Sequence, residues 1–202
     1  MKLLYSNILP LGTADDQQTI IDCFQEQLAK ADYVEIAVGY VSRASLEELD
    51  NLISDYSIKQ IFLNIGLYYI EGMPESSYHT AVKINKKWRA SRTGEIRIVR
   101  SFKYHGKLYC FYKDGVPFSA IIGSANLGVI KLEASNRRQY EISSLTIDPS
   151  ECKEISDFIQ KLKSPACSAN IEDISDMPLI FEKNTALSGI ELVAEVPPSN
   201  VE

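Results

Sequence analysis

Apolar residues follow two rhythms along this chain. Ile20, Ile21, Phe24 and Leu28 recur at helical steps, predicting a helix over 14–31 with Thr13 as its cap. The run 33–41 is β-branched and aromatic and predicts a strand through Gly39-Tyr40. Ser45 and Glu48 have capping-box spacing ahead of Leu46, Leu49 and Leu52. A buried strand follows over 60–66, a loop over 71–74, and a helix from Ser76 or Ser77 toward Arg89. Residues 95–100 alternate charged and apolar, the pattern of a strand with two unlike faces.

The second half continues the alternation. Strands are predicted over 104–112, 118–122 and 140–147, with a turn at 115–117 and a short helix or loop over 127–134. Asp148-Pro149-Ser150-Glu151 starts a helix running to about Lys163, its apolar face formed by Ile155, Phe158, Ile159 and Leu162. Beyond Ser164-Pro165 the periodicity weakens. The expected division is therefore one domain over 1–165, and over 166–202 an extension or linker toward a further domain. Strands alternating with helices imply an α/β fold, a mixed central sheet flanked by helices.

Charge changes this picture. The net charge is −6, but it is unevenly spread. Residues 83–138 hold thirteen Lys and Arg against three acids, a local charge of +10 that leaves −16 on the rest. Solvated faces produce such runs; so does a phosphate-binding surface, favoured here because this segment also holds the candidate chemistry. No apolar run is long enough to span a bilayer. Cys23, Cys110, Cys152 and Cys167 form no CxxC pair and read as small hydrophobes in a reducing compartment. A cytoplasmic location without membrane attachment is expected.

The chemistry gathers at 105–126. On a strand, His105 and Lys107 share a face, placing an imidazole beside an ammonium. The next strand ends in Gly123-Ser124-Ala125-Asn126, which adds a hydroxyl and an amide. A nucleophile or base, a cation and two neutral donors suit a phosphoryl group, whose transfer depends on positioning and charge stabilisation. Read singly, His105 would be a structural histidine and Ser124 and Asn126 turn formers; their joint spacing favours the functional reading. A half-buried Lys107 calls for an anion. Arg137 and Arg138 suit backbone phosphates or solvent, Tyr40 a core edge, and His79, with no lysine two residues on, a helix surface. Two histidines and few nearby acids leave little for a metal; neither metal nor cofactor is expected.

His105-x-Lys107 followed by Gly123-Ser124-x-Asn126 resembles the catalytic half-motif of the phospholipase D superfamily. A short chain with one such motif is similar to the phospholipase-D-type restriction endonucleases of the NgoFVII family. The superfamily's usual Asp, five residues after the Lys, is here Tyr112, with Asp114 two further on. The resemblance implies a phospholipase-D-like layered fold and metal-independent cleavage of DNA through a covalent phosphohistidine on His105. It implies that Lys107 and Asn126 hold the non-bridging oxygens, that Ser124 orients a phosphate oxygen or the amide, and that Glu141 orients His105. Lys103, Gly123, Arg137 and Arg138 are the expected substrate contacts. Such enzymes usually supply two acid–base groups from two motifs. A single motif therefore implies a homodimer with a composite site, its interface expected near Leu108, Phe111 and Phe118. A DNA-recognition domain or an ATPase subunit would be further partners. Phospholipid hydrolysis and an inactive nucleic-acid-binding module are the competing readings.

Overall fold

The computed structural model describes residues 1–131 and 139–181. In chain order the elements are β1 (Lys2–Tyr5), β2 (Gln18–Thr19), α1 (Ile20–Lys30), β3 (Tyr33–Val38), α2 (Arg43–Asp55), β4 (Gln60–Ile65), α3 (Tyr68–Glu71), β5 (Met73–Pro74), α4 (Glu75–Ala90), β6 (Gly94–Val99), β7 (Leu108–Lys113), β8 (Val116–Gly123), β9 (Ile142–Thr146), α5 (Pro149–Leu162), β10 (Ser168–Asn170) and β11 (Leu179–Ile180). Nine strands form one sheet in the order β10-β6-β4-β3-β7-β8-β9-β1-β2. The pairs β3–β4, β4–β6 and β1–β2 are parallel and the others antiparallel, so the sheet is mixed.

Each sheet face has its own core. Val34, Ile36, Val38, Leu63, Ile65, Ile96, Tyr109, Phe111 and Ile121 pack under α1, α2 and α4. Ala37, Phe62, Leu108, Cys110, Tyr112 and Ala120 pack with Cys152, Ile159 and Leu162 of α5. This is the layered α/β arrangement expected from the sequence, helices on both faces of a mixed sheet. Burial of both faces explains why β3 and β4 are apolar on both sides apart from Glu35 and Asn64 within and Gln60 at the start. The four cysteines are free, and Cys167 alone is not buried.

Several boundaries differ from the sequence expectation. The helix expected from Ala14 begins at Ile20: residues 14–19 carry no apolar stripe, Gln18 and Thr19 pair with β1, and the Thr19 hydroxyl accepts the Asp22 N–H at 3.1 Å. Helix α2 starts a turn before Ser45, because Ser42 and Ser45 cap each other reciprocally, at 3.1 and 2.9 Å. The loop expected over 71–74 instead contains the end of α3 and the short strand β5. The hairpin turn is Asp114-Gly115, both at positive φ (51° and 78°), which fits a two-residue loop between paired Lys113 and Val116. Pro117 therefore lies inside β8, where the ladder shifts register at Phe111/Tyr112. Asp148 caps α5 as its sequence predicts, accepting the N–H groups of Ser150 and Glu151 at 2.9 and 3.1 Å. From the stretch expected as an extension, β10 joins the edge of the sheet against β6, Ile171 and Ile174 enter the core, and β11 pairs with β5. Residues 182–202 lie outside the described residues.

Candidate active site

The register of the central strands fixes the site. Ala37 at the end of β3 pairs with Leu108 at the start of β7, Leu108 with Ile122 near the end of β8, and Gly123 with Ser143 at the start of β9. The segments Gly39-Tyr40, His105-Gly106-Lys107, Ser124-Ala125-Asn126 and Glu141 therefore all emerge at one end of the central strands. Sites in open α/β sheets commonly sit there, beyond the carboxyl ends of parallel strands.

His105 and Lys107 do not lie on a strand. β7 starts only at Leu108: Lys107 stands opposite Val38, the last residue of β3, so 105–106 lie beyond β3 and have no ladder partner on it. Tyr104 is tied to the neighbouring loop, its N–H reaching the Gly66 carbonyl at 3.3 Å. The imidazole of His105 is exposed, whereas Lys107 is 6% exposed and folds back so that Nζ donates to the His105 carbonyl at 2.7 Å. Desolvation, then the Lys107 charge, lowers the His105 pKa, while Glu71 and Glu141 oppose them. Desolvation also lowers the Lys107 pKa, against the attraction of Glu141. The two groups meet at the site by this back-fold.

Asn126 faces them. A Cβ built on Gly39 would lie 3.2 Å from Cδ2 of His105 and 3.4 Å from Oδ1 of Asn126, so Gly39 marks where the two side chains converge. The Asn126 Oδ1 accepts the Tyr40 N–H at 3.1 Å, which leaves the amide NH₂ as donor for a ligand. Ser124 donates to the Glu141 carboxylate and accepts the Ile142 N–H at 3.1 Å. In this structure Glu141 is thus bonded to Ser124 and reaches His105 through charge. Gly123 donates its N–H to the Lys107 carbonyl at 3.3 Å, and a Cβ there would lie 2.4 Å from the Ser143 Cα, a crossing that only glycine fits.

A second cluster borders His105, in which Glu71 joins Tyr40 and Lys103. The Tyr40 hydroxyl donates to Glu71, and Lys103 Nζ donates to the same carboxylate at 3.1 Å. These bonds, the Tyr40 one first, lower the Glu71 pKa. The only hint in the sequence was the tyrosine after Gly39, since nothing in a loop-like Glu71-Gly72 announces the contact. His79 lies elsewhere, on α4, 3.4 Å from Glu75. Arg137 and Arg138 lie outside the described residues.

Tyr112, at the superfamily's Asp position, is buried and donates to Glu35 of β3. Glu35 is fully buried and also accepts from Tyr33, Gln160 and Lys163. A buried carboxylate is thus present here, carried by the neighbouring strand. The basic segment is less bare than its charge count implies: Lys87, Arg89, Arg97, Lys103 and Lys131 pair with Asp50, Glu172, Glu95, Glu71 and Glu48. Leu108 and Phe111, expected at an interface, are core residues, and Phe118 packs half-buried against the core. Exposed apolar residues near the motif include Leu3, Ile122 and Ile142, at 50, 44 and 50% exposure, and Phe102. Leu3 and Ile122 flank Ser144 in register across β1, β9 and β8. No helix among the described residues is long and apolar enough to cross a membrane.

The model of the family described as the NgoFVII restriction endonuclease N-terminal PLD domain matches residues 18–176. Among solved structures, phosphatidylserine synthase from Haemophilus influenzae Rd KW20 is similar with a TM-score of 0.51 at 12% identity, over 83% of this chain and 39% of that one. Polyphosphate kinase from Porphyromonas gingivalis is similar with a TM-score of 0.48 at 14% identity, over 81% of this chain and 26% of that one. The chain spans well under half the length of either. The curated proteins give no match.

Proposed function

This chain belongs to the NgoFVII restriction endonuclease PLD-domain family, and from that premise we propose that it is a metal-independent phosphodiesterase that cleaves DNA. The observation that carries the reading is the convergence of His105, Lys107 and Asn126 at one end of the central strands. It supplies a neutral nucleophile, a desolvated cation and an amide donor. The imidazole of His105 attacks phosphorus and forms a P–N bond as the bond to one ester oxygen breaks. Lys107 and Asn126 hold the two non-bridging oxygens as charge moves onto them. A second imidazole, protonated, gives its proton to the leaving oxygen. It then takes a proton from the water that attacks the phosphohistidine, which releases His105 and a terminal phosphate. The acids beside His105 are committed to other bonds, Glu71 to Tyr40 and Lys103, Glu141 to Ser124; this favours a mechanism carried by the histidines.

One chain offers a single His105 cluster, so the second imidazole comes from a second copy. A homodimer joined through the exposed row of Leu3, Ile122 and Ile142, adjacent to Ser124, would place two His105 side chains across one phosphate. Lys103, Arg137 and Arg138 would hold flanking phosphates. Choice of DNA sequence would come from a recognition domain or an ATPase partner. The test is incubation with supercoiled plasmid in excess EDTA. Nicking and linearisation by the wild-type chain, absent with His105→Ala, support the reading. Cleavage of phospholipid vesicles with the plasmid left intact would replace it.

A further inference from the structure

Beside the motif residues stands Tyr40, whose contacts reach both sides of the site. Its backbone N–H donates to Oδ1 of Asn126 at 3.1 Å. An N–H can only donate, so this bond decides which end of the Asn126 amide faces a ligand. Its ring meets the His105 imidazole edge-on, centroids 6.2 Å apart at 75°, and is backed by Tyr68 at 5.3 Å and 64°. Its hydroxyl donates to Glu71. Burial and this bond push the Tyr40 phenol up to about 12, so it stays a donor at all working pH values. Glu71 closes the one-turn helix α3, and Met73, two residues on, is tied to the Pro178 carbonyl at 2.8 Å. The carboxylate therefore sits on a fixed backbone.

We infer that Tyr40 and Glu71 are a positioning pair, which orients the His105 imidazole and the Asn126 amide for attack on phosphorus. The inference rests on the nuclease reading for its catalytic consequence, though not for its geometry. A phenol–carboxylate bond is charge-assisted and stronger than a neutral one, so it holds the Tyr40 ring against the imidazole at a set angle. Near-attack geometry is sensitive to small misplacements of such groups. Glu71 also acts through its charge. Among the described residues, the charged groups in reach of His105 are Lys107, Glu71 and Glu141, with Lys103 held on Glu71. At the imidazole, the Glu71 charge opposes that of Lys107. A residue that merely filled space would not do this.

The test uses the whole chain and its two histidines. Imidazole Cε1–H signals are followed by NMR from pH 4.5 to 8.5, with His79→Gln used for assignment. In Glu71→Gln the His105 midpoint should fall by roughly half a pH unit, the size a nearby partly screened charge confers, with His79 unmoved. Tyr40→Phe keeps the backbone bond and the ring but loses the anchor. On plasmid it should lower kcat roughly tenfold with KM unchanged, the signature of lost orientation. Glu71→Asp should restore the His105 midpoint toward wild type. An unmoved His105 midpoint in folded Glu71→Gln overturns the pair, whether or not DNA is cut. A moved midpoint in a chain that cuts no DNA upholds the pairing and overturns the nuclease reading. Unchanged kcat in Tyr40→Phe overturns the orienting role.

Discussion

Lys107 donates its ammonium to the carbonyl of His105 at 2.7 Å, so the cation is anchored on the backbone of the residue it serves. With 6% of its surface exposed, it keeps its remaining N–H donors for an anion arriving over His105. Lys107→Ala should therefore lower kcat by roughly 10²–10³, as the loss of a transition-state oxyanion donor does, while DNA affinity changes little. Lys107→Arg should not rescue it, because a planar fork does not fit the same back-fold. Filter binding and single-turnover cleavage measure both. A parallel loss of binding and turnover would place Lys107 in ground-state binding instead.

The pH profile separates a composite site from a lone histidine. The His105 pKa lies below the ordinary 6.5, chiefly through desolvation and then Lys107. The neutral imidazole thus prevails at neutral pH, and activity should fall as pH drops through the lowered value. If a second His105 must hold a proton, activity also falls on the alkaline side. The profile of kcat/KM for the free enzyme is then a bell centred below 6.5, between the two apparent values of the pair. A lone His105 acting only as nucleophile would give a plateau at alkaline pH.

Mixing wild-type subunits with His105→Ala subunits tests the same point without titration. Heterodimers should be inactive, so activity should follow the square of the wild-type fraction. A linear fall, with an active monomer in sedimentation, would contradict the shared site.

The buried Glu35 network should govern stability and leave the chemistry alone. Glu35→Ala removes the acceptor shared by Tyr33, Tyr112, Gln160 and Lys163: buried Tyr112 keeps only Ser156, half-buried Tyr33 keeps only Lys163, and exposed Gln160 turns to solvent. The cost should be about 2–4 kcal/mol in urea unfolding, and Tyr112→Phe should cost about 1–2 kcal/mol. The folded variants should retain kcat. A change below about 0.5 kcal/mol in both would show that the network contributes nothing net.

Much of this was legible in the residues. β3, β4, β8 and α5 follow from apolar runs and from the Asp148-Pro149 cap, where local preference and tertiary packing agree. The family followed from His105, Lys107, Ser124 and Asn126. The start of α1 was misplaced because Thr13 and Thr19 are equally good caps, and only the pairing of β2 with β1 decides between them. The strand expected through His105 ends early because its partner β3 stops, which is a fact of register and not of the local pattern. Glu71 and Glu35 were invisible because each acts on residues far away in sequence: Tyr40 lies 31 positions from Glu71, and Tyr112 lies 77 from Glu35. Single-sequence reading has no access to such pairs.

A P–N bond on His105, formed without metal, can be trapped directly. A duplex with ³²P at internal phosphates is mixed with the chain in excess EDTA and quenched in denaturant at alkaline pH within one turnover. The predicted result is ³²P bound covalently to the chain, stable to alkali, labile to acid, mapped to the peptide bearing His105, and absent in His105→Ala. Cleavage that stops in EDTA and returns with Mg²⁺, or that proceeds at wild-type rate in His105→Ala, would contradict it.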